Sequence, residues 1–440
     1  MIEAGDRLSA KQALDHLSSR AASPDVTADT AYWYCHLGDY AQAARLYQSL
    51  CEAHPDKPAY WYNLATTRRV LGELDAAEQA LDRQLALDPA DGEGQYLRSQ
   101  LKTQCSDSNH VAELRQQLGN PDLPPKQRVH LYYALGKELE DIGADEQAFD
   151  AIARGGSLRR KYLKYDVAQD ERILRTIRAS CDNEHFARLP TGKSEASPIF
   201  ILGLPRTGST LVENILAAHS QVAMGGELNA FSQTMMPMLS KLTSGSVLDA
   251  IGACPKLDFN ALGQGYLSAT RHLQGDRPHL TDKLPLNFLY TGLIQKALPK
   301  AKIIHVRRHP MDAVWAIYKH LFTHAYPYSY DPKDIARYLL AYERLMEHWR
   351  KQLGERLIEV DYEALVTQPE PQMRRLLSAC ALPFESQCLD FFKQPRSVTT
   401  GSATQVRQPV YTSSVGRWKR FESQLSDVYE TFVDAGLAMD

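Results

Sequence analysis

The stretch 199-IFILGLPRTGSTLVENIL-216 decides how the second half of the chain folds. Gly203-x-x-x-x-Gly208, after an apolar strand and before a helix, is the outline of a phosphate-binding loop. Ser209, however, stands where that motif has its lysine. The two glycines supply the backbone freedom for a tight strand-to-helix turn. The helix that starts near Ser209 offers its free N–H groups and positive dipole end to the loop. Arg206 adds a bidentate contact, and the hydroxyls of Thr207, Ser209 and Thr210 add donors. The loop therefore reads as an anion site. A nucleoside triphosphatase would need the missing lysine for its outer phosphates and a strand ending in Asp for magnesium. AKIIHV ends instead in Arg307-Arg308. LIEVD does end in Asp361, but Glu359 interrupts it, and a surface strand flanked by Arg356 explains it equally. An ATP-dependent, kinase-like reading is weakened and stays open.

Downstream of Ile199, short apolar strands (IFILG, AKIIHV, RLIEV) alternate with helical segments (STLVENILAAH, PMDAVWAIYKHLF, DIARYLLAYERLMEHWRKQL). That alternation predicts an α/β domain, a parallel sheet with helices on both faces, over residues 198–440. Upstream, LPTGKSEASP has the composition of a linker, and 157–187 reads as helical connectors, so residues 156–197 join two domains. Residues 1–155 are repetitive. Leu37-Gly38-Asp39-Tyr40 and Leu71-Gly72-Glu73-Leu74 lie 34 residues apart, as do Pro55 and Pro89. A 34-residue period with an Ala-rich second helix is the tetratricopeptide signature. A degenerate third copy at 131–154 is offset by three residues. Such units bury their apolar faces only by stacking, and they serve equally as a helical cap or as a surface for a protein partner.

A chain of 440 residues implies two or three domains, and 44% hydrophobic with 23% charged residues is an ordinary globular composition. A net charge of −3 argues against general nucleic-acid binding. Seven cysteines, odd in number and without a C-x-x-C pair, argue against a disulfide framework and a zinc site; no metal is expected. The N-terminus MIEAGDRLSAKQALDHL lacks a signal peptide's apolar core, and no apolar run nears the ~18 residues a membrane helix needs. The expectation is a cytoplasmic protein that engages no membrane.

A family resemblance becomes specific once the segments are read in order. PRTGSTL, followed 21 residues after its arginine by Glu227 in MGGELNAF, resembles the 5′-phosphosulfate loop and catalytic acid of the P-loop sulfotransferases, nearest the tyrosylprotein branch. TDKLP resembles the segment with the family's transition-state lysine, here Lys283. HVRRHPMDAVWAIY resembles the 3′-phosphate segment, with Arg308 in the arginine position. VDYEALV resembles the segment with a nucleotide-contacting tyrosine, here Tyr362. SATQVRQPVYTSSVGRWKRF resembles the C-terminal loop closing over the nucleotide, aligning Ser402 with a stabilising serine and Arg417 with a basic nucleotide contact. Five segments in the right order make a chance match improbable.

The resemblance implies a sulfotransferase that uses 3′-phosphoadenosine-5′-phosphosulfate as donor and releases 3′-phosphoadenosine-5′-phosphate. Its catalytic residues would be Glu227, Lys283 and Ser402. Its nucleotide contacts would be Arg206, Thr207, Gly208, Ser209, Thr210, Arg308, Tyr362 and Arg417. In physical terms the donor carries no outer phosphates, so the loop lysine is dispensable, while a cation is needed at the bridging oxygen where charge builds. Each residue has a plainer reading. Glu227 suits a helix N-terminus, Lys283 a solvated turn, and one of Arg307-Arg308 a solvated pair. His279 in RPHLTDK is a rival base that ranks below Glu227. The family's serine eight residues after Arg308 is replaced by Ala316, with Tyr318 or His320 as substitutes for its hydroxyl. Tyr326, Tyr328 and Tyr330 either line an acceptor pocket or pack against a neighbouring helix. An inactive domain behind a tetratricopeptide scaffold is the remaining alternative. The acceptor, whether protein, peptide or small molecule, is left open, as is a homodimer.

Overall fold

The computed structural model describes residues 7–18, 23–182, 186, 189–323, 325–394 and 405–439. They group into two compact units. One holds the described residues of Met1–Leu163, Lys319–Thr323 and Pro395–Gln408; the other holds those of Lys164–Tyr318, His324–Gln394 and Pro409–Asp440.

The first unit is helical. Its elements are α1 (Arg7–Ser18), α2 (Pro24–His36), α3 (Tyr40–Ala53), α4 (Pro58–Leu71), α5 (Leu74–Leu87), α6 (Gly92–Ser99), α7 (Val111–Leu118), α8 (Pro125–Asp141) and α9 (Asp145–Lys161). Proline opens α2, α4 and α8, where a missing N–H costs nothing. The pairs α2/α3, α4/α5 and α8/α9 each turn through a glycine at the same place, Gly38, Gly72 and Gly143, with φ of +77°, +87° and +80°. A β-carbon disfavours that left-handed conformation, which is why Leu-Gly recurs with the repeat. Between the second and third pairs lie the short helices α6 and α7, and they account for the broken period. Tyr34, Tyr47, Leu50, Leu64 and Leu81 form one apolar core, and Leu114, Leu131, Leu135 and Leu139 a second.

The second unit is built on five parallel strands, β1 (Ile199–Gly203), β2 (Val222–Ala223), β3 (His279–Lys283), β4 (Lys302–Arg307) and β5 (Leu357–Asp361). Their order is β2-β3-β1-β4-β5. The helices needed below are α10 (Val167–Ser180), α11 (Ser209–Ala217), α12 (Ala230–Ser240), α13 (Phe259–Gln274), α14 (Pro310–Tyr318), α15 (Pro332–Leu353), α16 (Tyr362–Thr367) and α17 (Pro369–Ala379). All of β1 is buried, because both faces of the sheet are covered. Ile199 and Ile201 pack with Val212 and Ile215 of α11 and Leu376 of α17. Phe200 instead meets Phe231 of α12 and Tyr266 of α13, at ring-centre distances of 6.2 and 5.2 Å. The strand order reverses beside β1, so its C-terminal loop opens between the ends of β3 and β4. Ligands of parallel sheets bind in such a crevice.

Candidate active site

The loop after β1 has the geometry of an anion cradle. Gly208 sits at φ +100° at the N-cap of α11 and, having no side chain, brings no capping group of its own to the first turn of the helix. A β-carbon on Gly208 would lie 2.5 Å from the Tyr362 ring, so glycine is required for space as well as for φ. Arg206 holds φ +64°, an unusual conformation for a non-glycine residue and a mark of functional loops. The Thr207 hydroxyl donates to the Leu204 carbonyl at 2.8 Å and closes the turn.

On one side of this loop, β3 delivers Lys283 at the level of Ile201. The Lys283 side chain is 1% exposed, and its ammonium pairs directly with Oε1 of Glu227, whose side chain is 48% exposed. Glu227 follows the turn Gly225-Gly226, which is fastened to β3. Lys283 N–H donates to the Gly226 carbonyl (2.8 Å), and Gly225 N–H donates to the Thr281 hydroxyl (3.1 Å). Behind them, fully buried Glu213 of α11 accepts through Oε1 from Gly226 N–H and from the Thr281 hydroxyl, both at 2.9 Å. Asp282, also fully buried, accepts from the Tyr266 hydroxyl (3.1 Å) and the Asn287 amide (3.0 Å). Burial pushes its carboxyl up to about 8, against the pull of those two hydrogen bonds.

On the other side, Arg308 lies just past β4 and ties two distant segments together. Its Nη1 donates to the Arg206 carbonyl (2.9 Å) and its Nη2 to the Ser414 carbonyl (2.8 Å), while the guanidinium lies 4.9 Å from the centre of the Tyr362 ring. The Tyr362 hydroxyl is 2.6 Å from that of Ser414. Arg308 Nε is buried without a hydrogen-bond partner among the described residues. Arg417 is set by Asp312 of α14, whose carboxylate accepts from the amides on either side, Gly416 (2.6 Å) and Trp418 (3.0 Å). Tyr411 marks where the cations meet. Burial pushes its phenol up, and the charges of Arg206, Arg308 and Arg417 pull it the other way. Arg307 points outward, half-exposed and 4.0 Å from Glu359.

The structure thus brings Arg206, Thr207, Gly208, Ser209, Thr210, Glu227, Lys283, Arg308, Tyr362 and Arg417 to the strand ends around one loop. Ser402 lies outside the described residues. His279 stands at the opposite end of β3 from Lys283, roughly 13 Å away at the rise of an extended strand, with its Nδ1 3.0 Å from the Ser197 carbonyl. Ala316 and Tyr318 are buried in α14, and His320, in the repeat unit, has its Nδ1 3.5 Å from the Tyr96 hydroxyl. Tyr328 stacks on Tyr338 of α15 at 3.8 Å, which is packing. Tyr326 lies near enough to Glu227 for that charge to add to the burial that raises its phenol. The sequence reading missed Glu213, Asp282, Asp312, Tyr411 and Ser414. For Glu213 there was a signal, an acid set into the apolar run LVENIL.

Comparison with known proteins agrees with this architecture. Residues 198–386 match the family model described as "Sulfotransferase family", and residues 36–101 match a tetratricopeptide-repeat model. An uncharacterized protein of Aquifex aeolicus (strain VF5) is 30% identical over 404 residues, 88% of this chain and 52% of its own length. The protein-tyrosine sulfotransferase of Drosophila melanogaster is 26% identical over 231 residues, 50% of this chain and 46% of its own length. The chain spans about half the length of these curated relatives. The sulfotransferase domain of the Synechococcus PCC 7002 olefin synthase aligns at a TM-score of 0.40 with 18% identity, over 56% of this chain and 98% of that one. Residues 198–386 thus form a domain that matches the sulfotransferase family, with a stretch that matches tetratricopeptide repeats ahead of it.

Proposed function

We propose that this chain transfers a sulfuryl group from 3′-phosphoadenosine-5′-phosphosulfate to a hydroxyl, with Glu227 as general base and Lys283 as the cation at the leaving group. One observation carries the reading. Lys283 is a sealed ammonium with three N–H donors, and among the described residues only Glu227 accepts from it. A buried cation with donors unused among the described residues, close to a helix N-terminus, fits an anion. The Nε of Arg308, without a hydrogen-bond partner among the described residues, adds a further donor for the nucleotide; Arg206, Ser209, Thr210 and Arg417 are assigned the contacts that the resemblance gives them, while the Thr207 hydroxyl is held by the Leu204 carbonyl and shapes the turn. The donor, when bound, supplies the activated sulfuryl group.

Glu227 keeps Oε1 on Lys283, while Oε2 takes no hydrogen bond among the described residues. With half of its side chain exposed, that second oxygen is open to an arriving hydroxyl and can take its proton. Lys283, fixed at the end of β3, faces the negative charge that builds on the leaving group; its position costs no reorganisation during transfer. Ser402 is assigned the stabilising role that the resemblance gives it. The names of the relatives support a phenol, tyrosine among them, as the acceptor class.

The ATP reading fares worse for a positive reason. Asp361, its magnesium candidate, lies exposed at the end of the edge strand β5 and uses Oδ1 as the N-cap of α16, accepting from Ala364 N–H at 2.8 Å. Seven free thiols fit a reducing, cytoplasmic setting, and no described helix is long and apolar enough to cross a membrane. We assign the repeats to a protein partner. Tyr32 and Trp33 on α2 are 51% and 39% exposed and stack edge to face at 5.4 Å, a pattern typical of contact surfaces. Incubation with sulfur-labelled donor and a tyrosine-containing peptide or a simple phenol tests the reaction. Label in the acceptor supports it, and label retained in the donor with every hydroxyl tried counts against it.

A further inference from the structure

We infer that Glu213 is the positioning residue that sets the Glu227 base, acting through Gly226 and Thr281. This rests on the reading of Glu227 as the base. Glu213 is wholly buried on α11 between Val212 and Asn214, also buried, so it touches no substrate. A carboxyl in such a place is costly unless its oxygens are used. Its Oε1 is used twice, on Gly226 N–H and on the Thr281 hydroxyl, and that hydroxyl in turn holds Gly225 N–H.

Gly-Gly is the most mobile dipeptide a chain offers, yet here both of its amides and one carbonyl are pinned. The turn is also pressed against β3. A β-carbon on Gly225 would meet the Thr281 carbonyl at 2.1 Å, so no other residue fits. Two of the pins come from β3 itself, the strand that ends in Lys283. The third comes from α11, the helix whose first turn forms the anion cradle. Among the described residues, Glu213 is therefore the one side chain that ties the base, the lysine strand and the cradle helix into a single frame.

The charges around it are consistent with that role. Burial pushes the Glu213 carboxyl up, the attraction of Lys283 and its two hydrogen bonds pull it down, and Glu227 adds repulsion. Asp282, held by Tyr266 and Asn287, lies close enough to feel the Glu213 charge as well. Among the described residues Oε2 of Glu213 has no partner, so the residue is retained at a cost to stability, as functional groups often are.

A residue that merely supported α11 would loosen the cradle when removed and weaken donor binding along with turnover. A residue that sets Glu227 would change turnover alone. The test uses Glu213→Leu and Glu213→Gln in the full chain, since glutamine keeps an oxygen for both hydrogen bonds. Three quantities are measured: affinity for 3′-phosphoadenosine-5′-phosphate, kcat with a tyrosine-containing peptide, and hydrogen exchange at the Gly225 and Gly226 amides. Glu213→Leu should lower kcat by about tenfold to a hundredfold, the scale of a misplaced catalytic group, and raise exchange at both amides. Nucleotide affinity should stay within about threefold, and Glu213→Gln should restore kcat to within about threefold of the parent, because its amide oxygen still accepts both bonds. Should Glu213→Leu fail to fold, Thr281→Val cuts the same clasp at the hydroxyl and should give the same pattern. Unchanged kcat and exchange in the cut clasp would overturn the inference. So would a loss of nucleotide affinity in step with kcat, or a Glu213→Gln enzyme as slow as Glu213→Leu. If the parent chain binds no nucleotide, the proposed function fails, while amide exchange still decides whether Glu213 holds the turn.

Discussion

The ammonium of Lys283, sealed beneath the surface, closes directly on the carboxylate of Glu227, which stays half-exposed. The pair places a cation and a carboxylate in contact at the end of one strand, and the proposed reaction gives each a separate task. Glu227→Gln keeps the shape of the turn but cannot take a proton. Turnover should fall by about a hundredfold to ten-thousandfold, the usual contribution of a general base. Nucleotide affinity measured by calorimetry should stay close to the parent's. Weakened nucleotide binding with turnover intact would show that Glu227 serves the donor instead.

Arg308 should behave in the opposite way. It joins the Arg206 carbonyl to the Ser414 carbonyl and keeps Nε unspent in a buried position. Arg308→Ala should weaken binding of 3′-phosphoadenosine-5′-phosphate by roughly tenfold to a hundredfold, the worth of a charge-assisted hydrogen bond. Titration calorimetry reads this directly, and kcat at saturating donor should change less than affinity does.

Gly208→Ala tests the cradle. The new β-carbon would sit 2.5 Å from the Tyr362 ring in a conformation that L-residues disfavour. The variant should lose about 1–3 kcal/mol of stability in urea unfolding and at least about tenfold in nucleotide affinity. A variant as stable and as tight-binding as the parent would mean that the loop can shift freely.

Asp282 gives the fold a pH dependence of known sign. Its carboxyl titrates near 3.8 when exposed and at about 8 in the folded chain, raised by burial. Between those values the folded state holds one more proton than the unfolded state. The stability it contributes is therefore complete below pH 3.8 and is lost as pH rises toward 8. Asp282→Asn cannot titrate. The difference in unfolding free energy between parent and variant should shift in the variant's favour across that window, by up to about 1.4 kcal/mol per pH unit. A difference that stays flat with pH would mean that Asp282 is ionised in the fold.

What could be read from the sequence follows from physical cause. β1, β4 and β5 showed as apolar runs. β3, His279–Lys283, did not, because its buried side chains Thr281, Asp282 and Lys283 are polar. They are tolerated inside only through Glu213, through Tyr266 with Asn287, and through Glu227. No local pattern announces such partners. At the degenerate third copy expected from the sequence stands the helix pair α8/α9, and the short helices α6 and α7 lie between it and α5, where the period slips. Of the site, the residues in motif positions were legible, whereas those acting at long range were not. Asp312 holds amides more than a hundred residues away, and Ser414 receives Arg308 across a similar span. Glu213 did leave a mark, an acid inside the apolar run LVENIL, but the partners that give it a use, Gly226 and Thr281, lie on other segments.

In the proposed reaction this loop, lacking the lysine of a triphosphate site, grips a 5′-phosphosulfate while Lys283 and Arg308 supply the charge from neighbouring strands. Titration calorimetry with 3′-phosphoadenosine-5′-phosphate, set against ATP with magnesium, tests it most directly. Saturable binding of the former without magnesium, lost in Arg308→Ala, is the predicted result. Magnesium-dependent binding of ATP with none of the former would contradict it.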